Sequence, residues 1–465
     1  MKNLDRHTLA EVLRAEIAAG TADTATEFSG LSIDSRTVRP GELFFAIKGE
    51  KHDGHDYIEA AFKRGAAAAV VDRSRMETLR ERRAGWLFAV RDTHEALLDL
   101  AAYIRRRIDA RFAAVTGSNG KTTTKEMLYA IVGTTHAAYR SPGNLNNLYG
   151  LPISLGLTPD ETEFAIYELG ISVPGEMTRL AAIIKPELAV ITNIGPAHLE
   201  TLKSIDNVVK AKFELIDTLP VGATVVLNAD DPYLMAEAGR RHLKFIGFGL
   251  TQKTDFVAAD IRAVDHERQE FSVDGNSLML SLPGRVNLYN ALAAIAASSV
   301  WGLGPQQWRE GLLAFQPVDM RMRLEEYKGL NLFIDCYNAN PDSIAAALET
   351  LRDLPATGRR IAVLADMLEL GDQSERLHRE AGRRAAQSGL DYLFTLGAEA
   401  RLLARSAADN GLEDKQIFSF DRQQDLLDAL LSIVAPGDLI LFKGSRGMEV
   451  EKIVFGLKGA VFAEN

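Results

Sequence analysis

The strongest constraint in this sequence is a short glycine-containing loop that joins an apolar run to a helical pattern. The loop reads TGSNGKTT over residues 116–123, follows the apolar run FAAV and opens the segment TTKEMLYAIV. Its two glycines allow the backbone to curl so that successive N–H groups point at phosphate oxygens. A helix that begins at the loop adds its partial positive charge. The segment therefore predicts a phosphate-binding loop between a strand and a helix.

Two side chains of this loop carry the expected chemistry. In such a motif a lysine reaches the outer phosphates and the hydroxyl that follows it ligates Mg²⁺, which assigns these roles to Lys121 and Thr122. The general pattern has glycine where Val115 stands, so the match is to the shorter GxxGK[ST] form. An ordinary glycine-rich turn is the alternative. The predicted nucleotide-binding residues of the loop are Gly117, Ser118, Asn119, Gly120, Lys121, Thr122 and Thr123.

Apolar runs alternate with helical segments over most of the chain. The runs FAAVTG, FAIYELG, ELAVITNIG and ATVVLNAD form one series, and LNLFIDCYN, RIAVLADM, YLFTLG and DLILFKGS form a second. Continuous apolarity between helices indicates parallel strands that are buried on both faces. A length of 465 residues suggests about three domains. We predict an α/β protein with a small N-terminal domain over 1–84, a central parallel-sheet domain over 85–316 and a Rossmann-like domain over 317–465.

Charge and cysteine content exclude several classes of protein. With 53 basic and 63 acidic residues the net charge is −10, which argues against a general affinity for nucleic acid. The single cysteine, Cys336, cannot form an internal disulfide and fits a reducing compartment. The most apolar stretch, residues 291–300, is only half the roughly 20 residues that a membrane helix needs. We therefore expect a cytoplasmic protein without membrane insertion.

The loop TGSNGKTT resembles the nucleotide loop of the Mur ligase family, the ATP-dependent amino-acid and peptide ligases of peptidoglycan synthesis. The resemblance runs along the whole chain. It implies a UDP-sugar-binding N-terminal domain, a central ATP-binding domain and a Rossmann-like C-terminal domain. It also implies that ATP phosphorylates a peptide carboxylate and that an amine then attacks the acyl phosphate, with release of ADP and phosphate.

Three further residues gain meaning only from this resemblance. Glu168 ends the strand-like run FAIYE, His198 follows the run LAVIT, and Lys212 lies in the helical segment VKAKFE. Taken alone, Glu168 is typical of a solvated strand end, His198 of a structural histidine and Lys212 of a solvated helix face. The family resemblance implies two Mg²⁺ ions, one held by Thr122 and Glu168 and the other by Glu168, His198 and a carbamylated Lys212. Lys210 is the competing lysine.

The resemblance also assigns residues to the nucleotide and to the peptide substrate. The segment GRVNLYNAL resembles the part of the family that faces adenine and the phosphates, RMRLE resembles an interdomain arginine segment, and DCYNANP ends the first strand of the third domain. The nucleotide candidates from these segments are Asn287, Asn290, Arg323, Asp335 and Asn338. Substrate candidates come from the segments DSR, DGH, GNLNN and KGSR, and they are Ser35, Arg36, Asp53, His55, Asn144, Asn146, Asn147, Lys443 and Arg446.

The amino-acid sequences of two segments distinguish branches of the family. GNLNN and DCYNANP resemble the branch that adds D-alanyl-D-alanine, so the expected partners are UDP-N-acetylmuramoyl-tripeptide and D-alanyl-D-alanine, bound by a monomer. The main alternative is the preceding ligase, which adds a diamino acid to the muramoyl dipeptide; one branch of it uses a DNPR segment, which this sequence lacks. A folylpolyglutamate synthase, which lacks the UDP-type domain, and a P-loop switch or motor protein are the more distant alternatives.

Overall fold

The structure, a computed structural model, describes residues 4–18, 28–76, 79 and 86–460. The first of three sheets has five strands, in the order Glu16–Ala18, Trp86–Val90, Ala68–Asp72, Glu42–Phe45 and Gly30–Ser32. Only the pairing of Glu16–Ala18 with its neighbour is antiparallel. The helices Arg6–Leu13 and Ile58–Lys63 belong to this part of the chain. The predicted small α/β domain is therefore built on a mainly parallel sheet.

The first predicted domain boundary cuts through this sheet. Residue 84 itself lies outside the described residues, but the strand Trp86–Val90 that follows it pairs with Ala68–Asp72. A strand that completes a sheet shares its core, and Phe88 and Ala89 are fully buried there. We therefore propose a boundary after Val90. The second boundary, 316/317, falls between the helix Pro305–Ala314 and the first strand of the third sheet, Arg323–Tyr327.

One long helix, Thr93–Arg107, joins the first and central parts. Asp92 caps its N-terminus by accepting hydrogen bonds from the backbone N–H groups of His94 and Glu95. At the other end, Arg105 Nε donates to the carbonyl of Ile184 at 2.6 Å, and its guanidinium lies 3.5 Å from the centre of the Phe112 ring. Near the N-terminus the ring of His94 stacks on Tyr149, with centroids 4.4 Å apart. These contacts fix the helix to the central domain, and the Thr93 hydroxyl, which donates to the carbonyl of Ala46 at 3.0 Å, joins it to the first domain.

The central sheet contains the predicted parallel strands and an extension that the sequence did not reveal. Its parallel part holds Ala138–Arg140, Phe164–Glu168, Arg111–Thr116, Leu188–Ile191, Thr224–Asn228, Ile246–Gly249 and the start of Phe256–Ala263. The strands Gln269–Val273 and Asn276–Leu280 then continue it as an antiparallel meander. The helices of this domain are Lys121–Val132, Gly150–Gly156, Glu176–Ile184, Leu199–Leu202, Ile205–Asp217, Pro232–Arg240, Arg285–Ser299 and Pro305–Ala314.

The third sheet has six strands, in the order Arg323–Tyr327, Leu330–Ile334, Leu439–Lys443, Arg360–Ala365, Tyr392–Leu396 and Ile417–Phe420. Only its first pair is antiparallel. The helices Pro341–Asp353, Ser374–Ala386, Ala400–Asp409, Gln423–Ile433 and Glu451–Ala460 accompany it. The predicted three-part α/β architecture is confirmed. Among the described residues no helix is both long and apolar enough to cross a membrane.

Candidate active site

A cavity of 710 Å³ lies where the central and third domains face each other. The carboxyl ends of the parallel strands Arg111–Thr116, Phe164–Glu168 and Leu188–Ile191 lead into it, which is where open α/β sheets bind ligands. From the third domain come residues that follow Leu330–Ile334 and Leu439–Lys443. The cavity thus collects most of the side chains that the sequence singled out.

The predicted phosphate loop forms one wall of this cavity. Gly117 and Gly120 adopt φ values of 147° and 81°, and a Cβ at Gly120 would lie 2.1 Å from Asn290 Oδ1. Neither conformation nor space allows a side chain there. The helix Lys121–Val132 starts directly after the loop, and its N-terminal N–H groups are the expected phosphate donors. Thr123 lines the cavity at this point, whereas the Ser118 hydroxyl exchanges hydrogen bonds with the backbone of Gly195 and supports the loop.

Lys121 folds back over the loop. Its ammonium donates to the carbonyls of Gly117 at 2.9 Å and Ser118 at 3.1 Å. Its position deep in the cavity lowers the pKa of this ammonium, although the carboxylate of Glu168 works in the opposite direction. Within the described part of the chain, the ammonium donates hydrogen bonds only to carbonyls of its own loop, and phosphate oxygens can replace them.

Glu168 is buried at the end of its strand and is held from both sides. The Thr122 hydroxyl donates to Oε2 at 2.7 Å, and the Asn146 amide donates to Oε1 at 2.8 Å. Burial acts to raise the pKa of this carboxyl, but the nearby cations, Lys121 first among them, bring it below its usual value. Glu168 is therefore an oriented carboxylate rather than a solvated strand end.

A buried lysine that the sequence analysis missed supports this carboxylate. Lys125 is fully buried, and its ammonium donates to the carbonyl of Ser141 at 2.7 Å and lies 3.9 Å from Glu168 Oε2. The Ser141 hydroxyl in turn accepts from the backbone N–H of Glu168. Lys125 follows Lys121 by four residues, so it lies on the same helix face, and this spacing was the available signal.

The two candidate lysines on the helix Ile205–Asp217 have opposite environments. Lys212 is buried, with 3% of its surface exposed, and its ammonium donates to the carbonyl of Gly117 at 3.0 Å. Lys210 is exposed. Burial, together with the like charge of Lys121, lowers the pKa of Lys212 well below its ordinary value. No described carboxylate lies within ion-pair distance of Lys212, and two ammonium groups share the Gly117 carbonyl.

His198 lies at the edge of the cavity and is paired across the domain interface. Its Nδ1 is 2.5 Å from Oε2 of Glu369, a residue of the third domain that the sequence analysis missed. The hydrogen bond from His198 lowers the pKa of the Glu369 carboxyl. Among the described residues no group of three or more His, Cys, Asp or Glu side chains could hold a metal ion by itself.

The two asparagines of the helix Arg285–Ser299 lie where the sequence suggested, facing the cavity rather than solvent. Asn287 and Asn290 are both buried, and Asn290 Nδ2 donates to Asn287 Oδ1 at 3.1 Å. Asn290 also stands directly behind Gly120 of the phosphate loop. Asn287 anchors its own amide on the carbonyl of Pro283.

Two cations near the end of the strand Leu439–Lys443 reach the cavity already paired with carboxylates of their own domain. Lys443 is buried, and its ammonium lies 2.5 Å from Asp335 Oδ2 and 3.2 Å from the carbonyl of Asn338. Asp335 already neutralises Lys443, and the contact of this lysine with the substrate stays a prediction. Arg446 lines the cavity while paired with Glu451. Asp335 and Asn338 line the cavity, and their contact with the nucleotide stays a prediction.

A direct hydrogen bond joins the third domain to the phosphate loop. Asn340 caps the helix Pro341–Asp353 through Oδ1, which accepts from Ser343 N–H, and its Nδ2 donates to Asn119 Oδ1 at 2.8 Å. The residue belongs to the DCYNANP segment, in which no local pattern distinguishes the asparagine that crosses the interface.

Of the two arginines in the RMRLE segment, Arg321 and not Arg323 lines the main cavity. Arg323 is exposed and pairs with Asp319, and it borders a separate cleft near Phe315. Arg321 lines the main cavity, where its guanidinium lies 3.9 Å from the centre of the Tyr337 ring. No described carboxylate pairs with it. Arg323 does not line the main cavity in this structure, and its contact with a phosphate stays a prediction.

Two of the three asparagines in the GNLNN loop form hydrogen bonds within the central domain. Asn146 holds Glu168, as described above, and Asn147 Oδ1 accepts from the N–H groups of Tyr149 and Gly150 at the start of a helix. Asn144 is exposed and lines the cavity. Of the three predicted substrate residues, Asn144 alone has a side chain without a hydrogen bond to other described residues.

A second cavity, of 730 Å³, lies between the first and central domains and includes Asp53, His55 and Tyr149. His55 is buried, and both ring nitrogens are engaged: Nδ1 with Asp53 at 2.6 Å and Nε2 with the backbone N–H of Asp72 at 2.9 Å. The ring therefore shapes this cavity and has no free nitrogen for a substrate. Ser35 and Arg36 do not line this cavity, and Arg36 pairs with Asp34.

Family comparisons cover nearly all of the chain. The Mur ligase family catalytic-domain model matches residues 27–105, the Mur ligase middle-domain model matches 115–298, and the model of the Mur ligase glutamate ligase domain matches 320–446. These three matches follow the order of the three sheets.

Individual relatives agree over the same length. A UDP-N-acetylmuramoyl-tripeptide–D-alanyl-D-alanine ligase of Bacillus subtilis is 36% identical over 449 residues, which is 96% of both chains. A crystal structure of MurF from Acinetobacter baumannii superposes with a TM-score of 0.85 at 27% identity and covers 98% of both chains. The MurF ligase of Thermotoga maritima in complex with ADP gives 0.81 at 29% identity, over 94% of this chain and 98% of the other.

Proposed function

Because the chain belongs to the Mur ligase family, we propose that it joins D-alanyl-D-alanine to UDP-N-acetylmuramoyl-tripeptide with ATP in peptidoglycan precursor synthesis. One observation carries this proposal: the 36% identity to a ligase of that specificity extends over 96% of both chains. The phosphate loop at the cavity and the ADP complex of a similar structure support ATP as the nucleotide.

The reaction needs a carboxylate to be made electrophilic. The tripeptide carboxylate attacks the γ-phosphate of ATP, so that an acyl phosphate forms and ADP leaves. The amine of D-alanyl-D-alanine then attacks the acyl carbon, and phosphate leaves with the formation of the amide. Lys121 and the loop N–H groups bind and orient the phosphates, which is the main protein contribution to phosphoryl transfer.

Arg321 is the proposed additional phosphate contact. An unpaired guanidinium in the cavity can form charge-assisted hydrogen bonds with phosphate, each worth roughly 1.5–3 kcal/mol. Arg321→Ala should therefore raise the KM for ATP about tenfold or more, as measured by steady-state phosphate release. Arg323→Ala is the matched control, since that side chain pairs with Asp319 outside the cavity. A larger loss in Arg323→Ala than in Arg321→Ala would refute the assignment.

The oxygen ligands at the cavity fit Mg²⁺. Thr122 and Glu168 present a hydroxyl and an oriented carboxylate beside the phosphate loop, and His198 keeps Nε2 free because Glu369 occupies Nδ1. Mg²⁺ usually keeps several waters and binds through one or two carboxylates plus substrate phosphates, so a small protein ligand set is sufficient. When bound, the two ions neutralise charge on the transferred phosphoryl group.

We also propose that Lys212 is carbamylated. Its neutral amine attacks CO₂, an N–C bond forms, and one proton is released. Two observations support this: Lys212 is buried without a described carboxylate partner, and its ammonium competes with Lys121 for one carbonyl. Carbamylation turns a repelled cation into an anionic oxygen ligand suited to a hard divalent ion. The exposed Lys210 has no comparable reason to be modified.

The cavity at the first domain is the proposed site of the UDP end of the substrate. Asp53 and His55 border it, with Tyr149 contributed by the central domain. The mutual pairing of Asp53 and His55 makes this wall rigid. The roles of Ser35 and Arg36 stay predictions, as do cytoplasmic location and the monomeric state.

Substrate dependence tests the proposed function directly. Phosphate release from ATP is expected only when UDP-N-acetylmuramoyl-tripeptide and D-alanyl-D-alanine are both present, because the acyl phosphate needs both a carboxylate and an amine. Reactions that lack each component in turn are the controls, and mass spectrometry of the product identifies the new amide. Efficient turnover with the muramoyl dipeptide and a free diamino acid would instead assign the preceding step of the pathway.

A further inference from the structure

Two residues with unusual backbone conformations meet at the edge of the main cavity. His198 has φ 53° and Glu369 has φ 63°, and both line the cavity. The left-handed region is unfavourable for side chains with a Cβ, so it persists only where the surroundings enforce it. These residues come from different domains: His198 precedes the helix Leu199–Leu202, and Glu369 follows the strand Arg360–Ala365.

The backbone around Glu369 is docked on the central domain. The carbonyl of Glu369 accepts a hydrogen bond from Glu200 N–H at 2.9 Å. Gly371, with φ 54°, approaches so closely that a Cβ there would lie 3.1 Å from Glu200 Cα. Gln373 reaches the carbonyl of Lys203 at 3.5 Å. The docked corner therefore fixes the position from which the Glu369 side chain reaches His198.

The pairing also fixes the state of the imidazole. An ionised carboxylate can only accept hydrogen bonds, so Nδ1 of His198 carries the proton that lies between it and Glu369 Oε2. In the neutral ring Nε2 then carries the lone pair. A carboxylate behind a metal-binding histidine sets its tautomer and orientation and raises its basicity.

We propose that Glu369 is a positioning residue that holds His198 with Nε2 available to the divalent cation. This inference rests on the proposed metal role of His198. Since Glu369 belongs to the third domain, the histidine ligand is set only when that domain is docked on the central one. Metal binding at His198 and domain docking thereby favour each other.

Mn²⁺ binding to the full-length enzyme with ADP, followed by electron paramagnetic resonance, tests this proposal without measuring turnover. Loss of an outer partner of a metal-binding histidine costs about 10–100-fold in metal affinity, so Glu369→Ala should weaken one Mn²⁺ site by this factor. His198→Ala should weaken the same site, and the double variant should bind no more weakly than His198→Ala alone. Glu369→Gln keeps an acceptor oxygen and should recover part of the loss.

Gln373→Ala is the matched control, because it removes another contact of the same corner without touching His198. Equal weakening by Gln373→Ala and Glu369→Ala would overturn the proposal in favour of general domain docking. Unchanged Mn²⁺ affinity in Glu369→Ala, together with a loss in His198→Ala, would overturn the positioning role alone. Unchanged affinity in His198→Ala would overturn both this inference and the proposed metal role of that histidine.

Discussion

Lys212→Ala is expected to leave almost no ligase activity, although the helix that carries it tolerates alanine well. If Lys212 is carbamylated, its anionic oxygens hold one Mg²⁺ ion, and the remaining side chains near the Gly117 carbonyl cannot replace them. Steady-state phosphate release with both substrates measures the loss. A thermal unfolding midpoint close to that of the wild type separates this loss from misfolding.

Chemical rescue makes this expectation specific for a carboxylate-like group. Formate or acetate in the buffer can enter the space vacated by the side chain and supply the same kind of hard oxygen ligand, so part of the activity should return. Lys210→Ala is the control, since that lysine is exposed two residues away on the same helix. Full activity of Lys212→Ala, or an equal loss in Lys210→Ala, would contradict the assignment.

Lys121→Ala should lower kcat/KM by about a hundredfold or more, because the ammonium stabilises charge that develops during phosphoryl transfer. Its hydrogen bonds are to the carbonyls of Gly117 and Ser118 within its own loop, so no other element loses a hydrogen bond and the free energy of unfolding should change little. Single-turnover measurements of ADP formation separate the chemical step from nucleotide binding.

A hydroxyl series at the next position provides the matched comparison. Thr122→Ala removes the group that donates to Glu168, and it should also lose about a hundredfold, whereas Thr122→Ser keeps the hydroxyl and should retain most activity. Near wild-type turnover of Lys121→Ala would show that the loop does not bind the phosphates in the proposed way.

Local sequence patterns predicted most strands because each of these patterns is typical of one kind of element. Continuous apolar runs such as FAAV and LILF became buried parallel strands, and the loop with Gly117 and Gly120 could only serve a strand-to-helix turn. The antiparallel strands Gln269–Val273 and Asn276–Leu280 were missed because they extend an otherwise parallel sheet. The proposed boundary after Val90 differs from the predicted one because strand pairing, which no local pattern reveals, places Trp86–Val90 in the first sheet.

Site residues were predictable where a local motif determines the role of the side chain. They were not predictable where the role depends on a partner that is distant in the sequence. Lys121 and Thr122 follow from the loop itself. Lys443 and His55 carried the right chemistry for a ligand, but each is already engaged, with Asp335 and with Asp53 and Asp72 respectively. Glu369 has no sequence signal because its partner is 171 positions away. Alternation along an extended segment would place Arg321 and Arg323 on one face, but Met322 between them has φ 48°, so the chain turns there and the two side chains diverge.

The junction formed by the helix Thr93–Arg107 has a consequence for substrate length. Arg105 and the His94–Tyr149 stack hold this helix to the central domain, and the Thr93 hydroxyl holds it to Ala46 of the first, so the span between the cavity at Asp53 and the phosphate loop is set by the fold. If the nucleotide end of the substrate sits in the cavity at Asp53, the peptide must span a fixed distance to reach Lys121. A peptide that is one residue short would then leave its carboxylate outside attack distance of the γ-phosphate. The fixed span would then select substrates by the length of the peptide, whatever side chain the third amino acid carries.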